Sequence, residues 1–82
     1  MGEVGRKGLL RAFGSAVRSR RAAMGLSQEE LAHQCNLDRT YIGGVERGER
    51  NLSLLNLLAI AQALQIAAHE LMRAFEQEAN RE

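Results

Sequence analysis

The apolar positions of this chain fall into five short sets, each at helical spacing and each bounded by residues that start or stop a helix. Leu10, Phe13, Ala16 and Val17 recur three and four apart, so they line one face of a helix predicted over about Leu9–Met24. Gly25 is a natural left-handed terminator for it. Ser27 with Glu30 three residues later is a capping box, in which each side chain satisfies an orphan amide of the other. It opens a second helix with Leu31, Ala32 and Cys35 on its inner face. Asn36 and Leu37 make a turn. Asp38 caps a third helix, and its carboxylate suits the positive helix end. Ile42 and Val45 bury that helix, and Gly48 ends it. Ser53 caps a fourth helix through about Leu64, and a fifth covers roughly Ala68–Glu78. Met1–Gly8, with three glycines and mixed charge, reads as a loosely ordered arm. The pattern predicts an all-α, five-helix domain over residues 9–82.

Composition agrees with that picture. The chain has 82 residues and no proline, and its good helix formers outnumber its β-branched residues. A domain of this length holds a core but no deep substrate cleft. No apolar run approaches the roughly 20 residues of a membrane span, and residues 1–25 lack the apolar stretch of a signal peptide. The single cysteine cannot form an internal disulfide, which fits a reducing cytoplasm. Net charge is +1, but unevenly spread. Residues 1–50 carry nine Lys/Arg against six Asp/Glu (+3), and residues 51–82 carry two against four (−2). Ten of the eleven cations are arginine, the side chain that grips phosphate or guanine with two bonds at once.

Within that basic half two short helices meet at about residues 27–48, an arrangement that can push one helix end into a DNA major groove. With Ile42 and Val45 buried, about 100° per residue places Arg39, Thr40, Gly43 and Arg47 mainly on the exposed side. Arg39 can donate to guanine O6 and N7, and Thr40 can meet a thymine methyl or a base edge. Gln28, first in its helix, can offer its amide and backbone N–H to a phosphate. Tyr41, Arg50, Asn51 and Ser53 are placed to bind backbone oxygens on either side. An enzyme is a poor fit. His33, His69 and Cys35 are the only candidate nucleophiles or transition-metal ligands, they form no cluster at ligand spacing, and no cofactor or metal is expected. Cys35 reads as a small core residue and the histidines as surface residues.

Gly25-Leu26-Ser27-Gln28-Glu29-Glu30-Leu31-Ala32, followed by Asp38-Arg39-Thr40-Tyr41-Ile42 and Glu46-Arg47-Gly48, resembles the Cro and phage-repressor (XRE-type) helix-turn-helix domain over about residues 9–72. The resemblance implies a lambda-repressor-like fold, a phosphate contact for Gln28, and base-reading positions at Arg39, Thr40 and Gly44. It also implies a structural ion pair between Arg21 and Glu46. The sequence departs from the family at Gly43-Gly44, where a side chain usually reads a base, and at Arg20, where the family often has a core leucine. The glycine pair implies either a very close approach of helix to DNA or fewer directly read bases. The second is the expectation here, with Arg39, Thr40 and Arg50 as readers and Arg20 solvated.

The fourth helix is too apolar for one buried face. Leu54, Leu57, Ile60, Ala61 and Leu64 form a stripe for the core, while Leu55, Leu58 and Ala59 lie on another side, with Met72 and Phe75 nearby. Such a patch marks an interface, unless the fifth helix or the arm covers it. A two-fold homodimer would set two recognition helices about 34 Å apart on a near-palindromic double-stranded operator. Arg39–Ile42 and the Arg50-Asn51-x-Ser53-Leu54-x-Asn56 run are similar to the controller proteins of restriction–modification systems, which regulate their own promoter and the endonuclease gene. In that picture Glu46, Glu49 or Arg47 could also touch RNA polymerase, and the protein would be cytoplasmic and nucleoid-associated through DNA. The alternatives are a stand-alone phage-type repressor and an antitoxin-like module that binds both DNA and protein.

Overall fold

The computed structural model describes residues 5–81, and the five expected helices appear in order: α1 (Arg6–Ala23), α2 (Gln28–Cys35), α3 (Arg39–Glu46), α4 (Leu54–Ala63) and α5 (Ala68–Asn80). Part of the arm expected over residues 1–8 is helical instead. Arg6, Lys7 and Gly8 already belong to α1, and Gly8 is buried. Met1–Val4 lie outside the described residues.

The start signals work as expected where a polar side chain was available. Ser27 Oγ accepts from Glu30 N–H while Glu30 accepts from Ser27 N–H, closing the capping box of α2. Asp38 accepts from Thr40 N–H at 2.9 Å, and Ser53 from Asn56 N–H at 3.1 Å. The first four helices share one ending. A left-handed residue (Gly25, Asn36, Gly48, Gln65) reverses the chain, and the next amide reaches back to Arg21, Ala32, Gly44 and Ala61 oxygens. Gln65 was not foreseen in that role, because nothing in its side chain announces a left-handed backbone.

Helix α1 is the spine. It packs along α5 and against α3, while α2 packs against α3 and α4. Val17, Leu31, Ile42, Val45, Ile60, Leu64 and Leu71 are almost wholly removed from water. Gly14 explains how α3 gets so close to α1: a Cβ there would sit 2.3 Å from Val45 O and 2.6 Å from Glu46 O. Gly48 has φ +75°, and a Cβ there would also strike the Arg11 backbone, so the end of α3 is pinned to α1 as well.

Three expectations about packing need correction. Leu54 is 70% exposed, because as the first residue of α4 it precedes the turn that meets the core. Phe75 is buried and meets Phe13 edge-on, ring centroids 6.1 Å apart. Phe75 lies four residues from both Leu71 and Ala79, so it shares their inward stripe and belongs to the core of its own chain rather than to an interface. Arg20 is half-buried rather than solvated, and its Nε donates to Leu64 O at 3.0 Å, so a cation meets the negative end of α4.

Candidate nucleic-acid interface

Helices α2 and α3, with the three-residue turn 36–38 between them, form one face of the molecule. The pose of α3 is set on its inner side. Arg21 Nε and Nη2 donate to the two oxygens of Glu46 at 2.6 and 3.0 Å, and Arg21 Nη1 donates to Leu26 O at 2.8 Å. The Glu46 side chain is 3% exposed and that of Arg21 15%. One bidentate pair thus ties the last residue of α3 to both α1 and the turn before α2. Its bond to Glu46 raises the Arg21 guanidinium pKa above an already high value, although burial works against this. Glu46 is therefore sequestered, and of the side chains considered for a polymerase contact only Arg47 and Glu49 are exposed.

Gln28 has a partner in the same region that the sequence did not reveal. Its amide Nε2 donates to Glu46 Oε1 at 3.0 Å, so the side chain is half-buried and braced on α3. The backbone amides of the first turn of α2 remain oriented outward at a positive helix end.

On the outer side, Arg39 and Thr40 occupy the first turn of α3, exposed beside their cap Asp38. The Thr40 hydroxyl donates to Asp38 Oδ1, which also takes the Thr40 amide. Those two bonds, the hydroxyl first, hold the Asp38 carboxyl below the usual carboxylate range, with a smaller contribution from the charge of Arg50. Tyr41 is half-buried, with its hydroxyl accepting from Asn56 Nδ2 at 3.2 Å and its own proton free to donate. The Arg50 guanidinium carbon lies 5.8 Å from the Tyr41 ring centroid. Asn51 is exposed in the loop after α3. Ser53 Oγ is engaged as the α4 cap, leaving its proton available. Arg47 is exposed and pairs with Glu49 at 3.2 Å, a surface contact that holds it only weakly.

Gly43, which the helical wheel placed on the exposed side, and Gly44, a base-reading position by resemblance, are both buried. Their cover is the arginines that follow. The site of a Gly43 Cβ is 3.0 Å from Arg47 Nη1 and 3.6 Å from Gln28 Oε1, and that of a Gly44 Cβ is 2.8 Å from Arg50 Cγ. Sequence reasoning missed this cover and missed Asn56, whose amide steadies Tyr41. The run from Arg50 to Asn56 was the only hint of either.

On another face, Leu54, Leu55, Leu58 and Met72 leave apolar surface in water, with Ala59 half-covered between them. Among the described residues no three His, Cys, Asp or Glu side chains come together as a metal site. Cys35 is buried, and burial pushes its thiol pKa up, away from a reactive thiolate. No single helix is long and apolar enough to cross a membrane.

Comparison with known proteins converges on the same region. The helix-turn-helix family matches residues 17–71. A hypothetical transcription factor of Neisseria meningitidis is 52% identical over 52 residues, 63% of this chain, and the match spans 49% of that protein's length. The crystal structure of the restriction–modification controller protein C.AhdI from Aeromonas hydrophila superposes with a TM-score of 0.74 at 56% identity, covering 76% of this chain and 94% of that one. The controller protein C.Esp1396I, solved as a tetramer in complex with its natural 35 base-pair operator, matches with a TM-score of 0.80 at 35% identity, covering 87% of this chain and 93% of that one.

Proposed function

This chain belongs to the helix-turn-helix family of transcriptional regulators, and from that premise we propose that it binds a near-palindromic operator as a homodimer and controls a restriction–modification system. The observation that carries the reading is the pairing of a rigid inner side with an open outer one. Arg21 and Glu46 fix α3 from behind, while Arg39 and Thr40 lie exposed on its first turn. A helix held this way can carry two side chains to base edges without ordering cost at the backbone. Arg39 presents paired donors for guanine O6 and N7, and Thr40 a methyl for thymine. Phosphates fall to the amides at the start of α2, and to Tyr41, Arg47, Asn51 and Ser53 on the flanks. The exposed leucines of α4, with Met72, pair two copies so that both recognition helices face one side of the duplex. A regulator of this kind works in the cytoplasm, and Glu49 and Arg47 are the exposed charges that a neighbouring RNA polymerase would meet.

The test is footprinting and mobility-shift titration on the DNA upstream of the gene, with Arg39→Ala and Leu55→Asp alongside. Arg39→Ala should cost about 1–3 kcal/mol of operator binding and relax discrimination at one base pair per half-site. Leu55→Asp should give a folded monomer by sedimentation, with weak operator binding. Equal grip on every duplex, or a dimer that survives the aspartate, would overturn the corresponding half of the reading.

A further inference from the structure

The glycine pair in the middle of α3 has no explanation in helix stability. Each glycine costs about 1 kcal/mol against alanine at such a position, and neither has the positive φ that demands glycine. What distinguishes Gly44 is what lies on it. Arg50 leaves the loop after α3, and its stem runs back across the helix. Its Cγ is 2.8 Å, its Nε 3.2 Å and its Cδ 3.5 Å from where a Gly44 Cβ would be. Its guanidinium ends over the Tyr41 ring, one turn nearer the start of α3. The carboxylate of Asp38 is close enough for the two charges to be felt. Tyr41 is itself held by Asn56 from the first turn of α4. Trough, ring and carboxylate together direct one flexible cation toward the end of α3 where Arg39 and Thr40 stand.

We propose that Gly44 is a positioning residue for Arg50: the missing side chain is the seat that lets Arg50, arriving from outside the helix, serve as the base-reading arm that α3 lacks at that position. The inference rests on the DNA-binding reading above and sharpens it. The glycine gap removes no contact from the interface. It replaces a short side chain at position 44 with a long, two-pronged donor. A Cβ at Gly44 fits no better than its neighbours allow, so Gly44→Ala must lift the Arg50 stem off the helix and away from Tyr41. The competing explanation, that the bare backbone itself approaches DNA closely, makes the opposite prediction about Arg50, because a methyl would then clash with DNA whether or not the arginine is present.

A double-mutant cycle separates the two. Gly44→Ala, Arg50→Ala and the double variant are titrated against the operator footprinted for the wild type and against duplexes changed at each base pair. Gly44→Ala and Arg50→Ala should each weaken binding roughly ten- to hundredfold and lose discrimination at the same base pair. Adding Gly44→Ala to Arg50→Ala should change nothing further. A second readout needs no DNA. Tyr41 is the only tyrosine and there is no tryptophan, so tyrosine fluorescence and the Tyr41 ring proton shifts report the arginine above it. Both should move in Gly44→Ala as they do in Arg50→Ala, while circular dichroism shows the helices intact. Additive losses in the cycle, or an unchanged Tyr41 signal in folded Gly44→Ala, would overturn the proposal. A wild-type protein that binds no operator would instead overturn the DNA-binding reading, with the Tyr41 readout still deciding whether Gly44 seats Arg50.

Discussion

Removing Glu46 tests whether the recognition helix is held by its ion pair or only by its apolar face. Glu46 accepts three hydrogen bonds, two from Arg21 and one from Gln28, and its side chain is 3% exposed. Glu46→Ala leaves the Arg21 guanidinium facing a cavity with two donors unpaired. Breaking a buried pair from one side typically costs about 3–5 kcal/mol. Arg21 keeps its bond to Leu26 and some 15% of its side chain in water, which puts this site at the lower end, about 3 kcal/mol. In a domain of this size each kcal/mol lowers Tm by about 4–8 °C, so the expected drop is about 12–24 °C. Replacing both partners with apolar residues, Arg21→Met with Glu46→Leu, should recover much of it, because no charge is then left buried. Thermal melts by circular dichroism at one fixed protomer concentration make the comparison, since any self-association adds a concentration-dependent term. A loss below about 1 kcal/mol, the range of exposed pairs, would refute the claim that this pair is a buried clamp. A double variant as unstable as the two single losses combined would refute the claim that the cost comes from the stranded charge.

Two further outcomes follow from the packing and the caps. Gly14→Ala, which elsewhere in a helix would be neutral or helpful, should cost about 3 kcal/mol here, read as a lower urea midpoint, because the new methyl meets Val45 and Glu46 backbone oxygens that cannot move without separating α1 from α3; an unchanged midpoint would show that the two helices are not in that contact. Acid should weaken the fold at its caps. Glu30 is held below its ordinary pKa by the Ser27 amide first and the Ser27 hydroxyl next, and Asp38 by the Thr40 hydroxyl and amide. A carboxyl whose folded pKa lies below its unfolded one contributes fully above the unfolded value, about 4, and loses that contribution as pH falls through the folded value. Stability followed by urea titration from pH 7 downward should therefore fall below about pH 4, and less so in Asp38→Asn; equal acid sensitivity in that variant would exclude Asp38 as a source.

The features legible in the sequence are those whose cause is local. Ser27 with Glu30, Asp38 and Ser53 mark helix starts because a short polar side chain can reach an amide two or three residues on, and each is found doing so. Gly25 and Gly48 mark ends because a residue without a Cβ takes a positive φ at little cost. The inner faces of α1, α2 and α3 were readable from period alone, since Phe13, Leu31 and Ile42 have no other way to leave water. The features that were missed depend on contacts far apart in the chain. Arg20 looked solvated because its partner, the Leu64 carbonyl, is 44 residues away. Phe75 looked like interface because its partner Phe13 belongs to the opposite end of the sequence. The bond from the Gln28 amide to Glu46 was missed because that clamp is invisible without the fold.

Gly14 and Gly44 show why fold and specificity can vary separately in this molecule. At Gly14 the missing side chain brings two backbones together, so nothing larger fits and the pose of α3 is set at the level of main-chain contact. At Gly44 the neighbouring atoms belong to the arm of Arg50, which can move, so a side chain there would redirect a cation without disturbing the helix. The inner constraints are backbone contact, the Arg21–Glu46 pair and the apolar face of Ile42 and Val45. The outer side carries Arg39, Thr40 and Arg50 as exposed side chains, Thr40 bonded to Asp38 and Arg50 lying over Gly44 and the Tyr41 ring. Substitution on the outer side therefore changes what the surface can recognise at little cost to stability, while substitution on the inner side changes whether there is a surface at all.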